Sequence, residues 1–108
     1  MWTNPSQDSS FEAQTITVLD DSEFKYILLV YDAIVPYQNY CTYLFKKPSA
    51  AYQLPFNQLI YSGSNVVMRL RYIKRNSNTQ YSFTNGEGSN GQDSSLCVPI
   101  QIIGIKSI

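Results

Sequence analysis

An alternating stretch near the middle of the chain restricts its fold more than any other feature of the sequence. Counting in steps of two through residues 65–75 gives one face four apolar residues: Val66, Met68, Leu70 and Tyr72. The other face mixes three arginines with two apolar residues: Val67, Arg69, Arg71, Ile73 and Arg75. A helix would scatter these arginines around its circumference, and the β-branched residues also disfavour a helix. The stretch is therefore predicted to be a β-strand.

Further strand-like runs are separated by turn-forming residues along the whole chain. They cover residues 11–19, 26–31, 41–45, 59–61, 80–84 and 96–102. No window of ten residues shows convincing helical periodicity, so the runs predict an all-β chain of short strands. The expected architecture is an antiparallel β-sandwich, jelly-roll-like, in which residues 1–108 form a single domain.

Three stretches carry more specific expectations. Residues 26–31 are apolar at every position, which predicts a central strand covered on both faces and, with residues 96–102, the deepest burial. Replacing Leu28 by aspartate should then unfold the domain. Pro99 interrupts the last run and predicts an edge position or a bulge there. Residues 85–95 are rich in glycine and serine and are expected to form a mobile loop.

The composition excludes several classes of function. Eight Lys and Arg balance eight Asp and Glu, and charged residues make up 15% of the chain, against roughly 25% in typical domains. A chain without net charge has no general attraction to nucleic acid or acidic lipid, so no nucleic-acid partner is expected. No apolar run is long enough to span a bilayer, and the first residues lack the basic and apolar regions of a secretory signal. We therefore expect a protein that is made in the cytoplasm and has no membrane span.

The side chains on which most enzymes depend are missing or dispersed. The chain has no histidine, which excludes Ser-His-Asp and Cys-His catalysis and histidine metal sites. Its acids fall in predicted turns and loops, where a facing pair of catalytic carboxylates is not expected. Glu87 and Asp93 match no calcium-loop spacing. We predict no catalytic residue, no metal site, no cofactor and no enzymatic activity; a hydrolase that uses loop carboxylates is the remaining alternative.

Two cysteines, Cys41 and Cys97, both lie in predicted strands. Two are too few for a disulfide scaffold, although they could pair across the two sheets. In a protein made in the cytoplasm, two reduced thiols that act as small core residues are the favoured interpretation.

Arg69, Arg71 and Arg75 share one face of the predicted strand at residues 65–75. Guanidinium groups in a row could bind phosphate or carboxylate groups of a partner. A solvated face whose charges prevent edge-to-edge aggregation is the favoured alternative. Arg69 and Arg71 are kept as candidate surface-binding residues.

Tyr37, Tyr40 and Tyr43 recur at a spacing of three in a polar segment. Tyrosine combines a flat apolar face with a hydroxyl group, which suits sugar rings and protein interfaces alike. The same rings could instead cover the core of the sandwich from a loop. The three tyrosines are the second set of candidate surface-binding residues.

The two ends of the chain carry motifs that can be compared with a known family. Residues 2–5 read Trp-Thr-Asn-Pro, residues 11–15 Phe-Glu-Ala-Gln-Thr, residues 26–31 Tyr-Ile-Leu-Leu-Val-Tyr, and residues 97–106 Cys-Val-Pro-Ile-Gln-Ile-Ile-Gly-Ile-Lys. This pattern resembles a family of structural proteins from tailed phages and prophages of Gram-positive bacteria. In that family a Trp-Thr/Ser-Asn-Pro start leads to a Phe-x-Ala-Gln-Thr strand, and the end has a Cys-Ile-Pro…Ile-Tyr-Gly-Ile-Lys pattern. Residues 36–95 show no such likeness.

The resemblance implies a non-enzymatic structural module of a phage virion, such as a tail-tip, baseplate or head-fibre appendage. Its expected location is the virion surface, after synthesis in the host cytoplasm. The implied partners are other virion proteins, further copies of the chain in a homo-oligomer such as a trimer, and cell-wall glycan. Modules of the family often follow other domains, so the chain is expected to be either an excised module or a small virion protein.

The matching motifs are packing motifs, so the resemblance transfers no functional residue to this chain. A free-standing carbohydrate-binding β-sandwich, with the tyrosine segment as its platform, is the alternative function.

Overall fold

The computed structural model describes residues 1–7, 9–32, 40–49, 52–62, 65–88, 91–92 and 97–107. The strands in these ranges are β1 (Trp2–Thr3), β2 (Gln14–Thr17), β3 (Tyr26–Asp32), β4 (Cys41–Lys46), β5 (Gln53–Ser62), β6 (Asn65–Ser77), β7 (Gln80–Phe83), β8 (Glu87–Gly88), β9 (Gly91–Gln92) and β10 (Val98–Ile105). No helix occurs among these residues, and hence none that could cross a membrane.

Two antiparallel sheets pack together as a β-sandwich, which confirms the predicted fold class. The first sheet has the strand order β1-β10-β3-β4. The second has the order β2-β7-β6-β8-β9, and β5 also pairs with β6. The jelly-roll connectivity stays a prediction.

The core lies between the sheets because alternation sends every second side chain inward. Ile27, Leu29 and Tyr31 of β3 are buried on this inner face. The second sheet contributes Phe56 from β5, whose ring lies 4.8 Å from that of Tyr31 between centroids. On β10, Val98, Ile100 and Ile102 are all buried, in agreement with the burial predicted for residues 96–102. Leu96 lies outside the described residues.

The prediction that β3 is covered on both faces is wrong. Ile27 and Leu29 are fully buried, but Leu28 and Val30, which alternate with them, are only half-buried. Leu28 pairs with Leu44, which is 45% exposed. An antiparallel sheet commonly packs one face on the core and leaves the other to solvent, and this sheet does so despite its apolar outer residues. A buried-charge test therefore belongs at Leu29, and an aspartate at position 28 would keep part of its hydration.

The two longest strands form a hairpin that the sequence pattern underestimated. The short predicted strand at residues 59–61 is part of β5, which pairs with β6 from Gln53 opposite Lys74 to Ser62 opposite Asn65. Polar residues and Pro55 interrupt the alternation at the start of β5 and hide it in the sequence. Among the described residues, β5 pairs with no strand other than β6.

Two local predictions meet different outcomes. Pro99 introduces the expected irregularity, because the register between β10 and β3 shifts between Pro99 and Gln101. The expected loop at residues 85–95 is wrong for its described part, where Glu87–Gly88 pairs with Gly91–Gln92. Glu87 also pairs with Leu70 of β6, so this small hairpin extends the second sheet.

Candidate functional site

The arginine face of β6 points into the sandwich. Arg71 is fully buried, and its Nη1 donates hydrogen bonds of 2.8 Å to the carbonyl oxygens of Phe11 and Thr84. Its guanidinium carbon lies 5.5 Å from the centroid of the Phe11 ring, within cation–π range. The prediction that Arg71 binds a partner at the surface is therefore wrong, because the side chain is used to hold three segments of this chain together.

Arg75 forms an ion pair inside the protein. Its Nε lies 2.7 Å from Oδ2 of Asp21, and its Nη2 donates a hydrogen bond of 2.9 Å to Oδ1 of the same carboxylate. The Tyr81 hydroxyl donates to Asp21 Oδ2 at 2.6 Å, and Lys47 Nζ lies 3.6 Å from Oδ1. We call these four residues the Asp21 cluster. Burial alone would raise the pKa of Asp21, but the hydrogen bonds from Arg75 and Tyr81 outweigh it and hold the pKa below its ordinary value.

Arg69 is the third arginine of this face and is half-buried. Its Nη1 donates to the carbonyl oxygen of Met68 at 3.3 Å, and its stem packs over Gly88, where an added Cβ would lie 3.0 Å from Arg69 Cδ. The three arginines therefore have three separate environments, so the structure does not bring them together as one anion-binding site.

The predicted tyrosine platform is not assembled by the described residues. Tyr40 is 67% exposed, whereas Tyr43 is half-buried and packs against the core, with its ring 5.0 Å from that of Phe45. A spacing of three aligns residues on a helix, but alternation along β4 separates them on a strand. Tyr37 lies outside the described residues.

Cys41 and Cys97 do not form a disulfide with each other, which confirms the favoured interpretation of two reduced thiols. Burial raises the pKa of Cys97 to about 12. Burial, together with the nearby Asp32 carboxylate, also raises the pKa of Cys41. Both thiols are therefore protonated at neutral pH and are weak nucleophiles.

A cleft between the edges of the two sheets was not foreseen from the sequence. β1 is the edge strand of the first sheet and β2 is the edge strand of the second. Between them lies a cleft of about 400 Å³, which we call the edge cleft. Its lining residues are Trp2, Asn4, Pro5, Ser6, Ser10, Phe11, Gln14, Ile16 and Thr17. Just before β1 and just after β2, the amide of Leu19 donates to the carbonyl oxygen of Met1 at 3.2 Å, which joins the two edges.

Asn4 shapes the wall of the edge cleft. Its backbone amide donates to Ile100 O and its Nδ2 donates to Pro99 O, both at 2.8 Å, while its Oδ1 accepts from the amide of Ser6 at 2.8 Å. These bonds bury Asn4 and tie the segment after β1 to β10. The Trp-Thr-Asn-Pro and Cys-Val-Pro motifs therefore contact each other directly, as expected of packing motifs.

The second unforeseen surface is the outer side of the long hairpin. Leu59 and Met68 lie opposite each other in the register and are 64% and 56% exposed. Pro55, further along β5 and opposite Tyr72, is also exposed, and β5 contains no charged residue over its ten positions. We call this outer side of β5 and β6 the hairpin face. Its β5 half carries no charge, Lys74 of β6 lies at the end opposite Gln53, and β5 has no second strand partner among the described residues.

The described residues contain no group of three Cys, Asp or Glu side chains that could hold a metal ion. The fold defines the class as a two-sheet antiparallel β-sandwich. No protein-family model matches the chain, and no curated protein and no solved structure is significantly similar to it.

Proposed function

We propose that the chain is a non-enzymatic structural module of a phage virion, such as a tail-tip, baseplate or head-fibre appendage, and that it assembles through its hairpin face. The terminal motifs support the phage context, since the structure joins them in one packing unit around Asn4 and Pro99. The hairpin face is the observation that supports assembly.

The physical argument for assembly rests on exposed apolar area and on a long edge strand, β5, that pairs with no second strand within the described part of the chain. Proteins usually protect an edge strand with charges, bulges or short length, because an unpaired edge can pair with another chain. β5 runs for ten residues without a charge, and Pro55 is its one strand-breaking residue. Leu59 and Met68 add exposed apolar side chains on the adjoining face. Because β5 is uncharged, two or more copies can approach each other there without like-charge repulsion.

We expect the purified chain to have a solution mass of at least two copies of the 12.3 kDa chain. Replacing both Leu59 and Met68 by lysine should reduce it to a single copy, because paired like charges on the hairpin face repel a partner. Light scattering after size-exclusion chromatography measures the mass and distinguishes a dimer from the trimer that the resemblance implies.

Leu44→Lys is the matched control for this experiment. Leu44 is an exposed apolar residue on the outer face of the other sheet, so its substitution should leave the mass unchanged. A wild-type chain with the mass of one copy, or equal dissociation by Leu44→Lys, would contradict assembly through the hairpin face.

The virion context has its own test. Mass spectrometry of purified particles from the encoding phage or prophage should detect the chain in stoichiometric amounts. Its absence from such particles would refute the structural role, whatever the solution mass. For the alternative of a free-standing carbohydrate-binding module based on the tyrosine segment, the described residues of that segment supply the exposed ring of Tyr40.

A further inference from the structure

The described lining of the edge cleft is uncharged and largely polar. All nine described lining residues are uncharged, and five of them have polar side chains: Asn4, Ser6, Ser10, Gln14 and Thr17. The ammonium group of Met1, next to Trp2 in sequence, donates to Ile102 O at 3.0 Å, and the guanidinium of Arg71, over the Phe11 ring, donates to Phe11 O and Thr84 O. The described lining therefore offers hydrogen bonds and apolar contact, and it includes no cationic side chain for a phosphate or carboxylate group.

An aromatic ring is held in a fixed position at the side of the cleft. Trp2 packs edge-on against Phe11 with ring centroids 6.1 Å apart, and it lies 6.2 Å from Phe83. Phe11 and Phe83 are themselves in T-shaped contact at 5.5 Å. The indole is nevertheless only half-buried, so part of it faces the cleft. Its orientation is fixed before any ligand arrives, which reduces the entropy that binding would cost.

Several polar groups in the cleft make no hydrogen bond with the described residues. The hydroxyls of Ser6, Ser10 and Thr17 are in this position, and all three residues are accessible to solvent. Gln14 donates its Nε2 to Glu12 O at 3.1 Å, which leaves its Oε1 as an acceptor. These groups can donate to and accept from a ligand without first breaking a bond inside the protein.

We propose that the edge cleft binds a neutral saccharide, with Trp2 as the apolar contact and Gln14 and Thr17 as hydrogen-bonding residues. A sugar ring has an apolar face of C–H groups and a rim of hydroxyls, which matches a tryptophan beside a set of hydroxyl and amide groups. The volume of about 400 Å³ lies within the roughly 300–1,000 Å³ of small-molecule sites. This proposal does not depend on a virion. It places the site apart from both sets of candidate surface-binding residues, the arginines of β6 and the tyrosine segment.

The test uses the fluorescence of Trp2, which is the single tryptophan of the chain. The probes are glucose, galactose, N-acetylglucosamine, rhamnose, chitotriose and maltotriose, titrated into the full chain, with glucuronate and glucose 6-phosphate as anionic counterparts. We expect a saturable change in emission with at least one neutral probe in the millimolar range. The corresponding anionic sugars should bind more weakly.

Two variants test whether the response arises in the edge cleft. Thr17→Val and Gln14→Ala each remove a hydrogen-bonding group, and each should weaken binding by up to about tenfold. Thr42→Val is the matched control, because Thr42 is an exposed threonine on β4, at the opposite edge of the first sheet. Its titration should match that of the wild type, and unchanged melting temperatures should show that all three variants fold.

Three outcomes would overturn the proposal. The first is the absence of a saturable response to every neutral probe. The second is a response that Thr17→Val and Gln14→Ala leave unchanged. The third is tighter binding of the anionic sugars, which would replace a neutral ligand by an acidic one. None of these outcomes bears on the solution mass or on the detection of the chain in particles, so failure here is distinct from failure of the proposed structural role.

Discussion

Replacing Asp21 by asparagine is expected to lower the free energy of unfolding by about 3–5 kcal/mol, because it leaves the buried guanidinium of Arg75 without its counter-ion. Asp21 is fully buried and accepts hydrogen bonds from Arg75 and Tyr81. A domain of this size has a total stability of roughly 5–15 kcal/mol, so the loss is a large share of it. Urea denaturation followed by tryptophan fluorescence measures the difference.

The dependence of stability on pH should identify the same carboxylate. The pKa of Asp21 in the folded protein lies below its ordinary value of 3.8. The ionised cluster therefore contributes its full stability above that value and loses it as the pH falls through the lower, folded pKa. The free energy of unfolding of the wild type should fall as the pH is lowered through this range. That of Asp21→Asn should fall less steeply, because the variant has no carboxylate to protonate at this position.

Two further variants make the Asp21 experiment specific. Tyr81→Phe removes one hydrogen bond to the carboxylate and should cost about 1.5–3 kcal/mol, less than the loss of the charge itself. Glu23→Gln is the control, since Glu23 pairs with Lys106 at 3.6 Å while both side chains are exposed. We expect a change of less than about 1 kcal/mol there. Equal effects of Asp21→Asn and Glu23→Gln would refute the assignment of the Asp21 cluster as a stabilising element.

Replacing Arg71 by methionine is expected to destabilise the fold by about 2–5 kcal/mol, although methionine matches much of its length. The loss arises at the carbonyl oxygens of Phe11 and Thr84, since each buried acceptor left without a donor costs about 1–3 kcal/mol. The cation–π contact with the Phe11 ring is lost as well. Urea denaturation again measures the change.

Arg69→Met is the matched control on the same strand and the same face. Arg69 donates only to the carbonyl oxygen of its neighbour Met68 among the described contacts, so its replacement should change stability by no more than about 0.5 kcal/mol. Buried charged groups can sometimes be exchanged for apolar ones at no cost. An Arg71→Met protein as stable as the wild type would show that water or relaxation satisfies both carbonyl oxygens, and it would contradict a structural role for this arginine.

Alternation predicted the strand β6 and the division of its residues between two faces, but the choice of the inward face was wrong. Arginine is usually found at the surface, so the face with Arg69 and Arg71 was assigned to solvent. The structure turns that face inward, because Arg75 meets a carboxylate 54 residues away in sequence and Arg71 meets carbonyl oxygens from two other segments. No local window of sequence contains these partners. The apolar face that contains Met68 is on the outside instead. An apolar outer face on an alternating strand is what an interaction surface there would produce in the sequence.

The edge cleft could not be predicted for a related reason. Its walls depend on contacts between the two ends of the chain, such as the hydrogen bond from the amine of Met1 to Ile102 O across 101 positions. The motifs at residues 2–5 and 97–106 were recognised as packing motifs, and the structure does join them. What the pattern did not show was that a cleft lies beside these contacts, with both Trp2 and Thr17 in its lining.

The two reduced thiols, which differ in exposure, can report local opening of this sandwich. Cys97 is fully buried, at a backbone φ of 49° that a non-glycine residue seldom adopts, whereas Cys41 is only partly covered. A thiol reagent should therefore modify Cys41 first, and Cys97 only at the rate at which its surroundings open. The ratio of the two labelling rates would measure the free energy of local opening around Cys97, without any engineered probe.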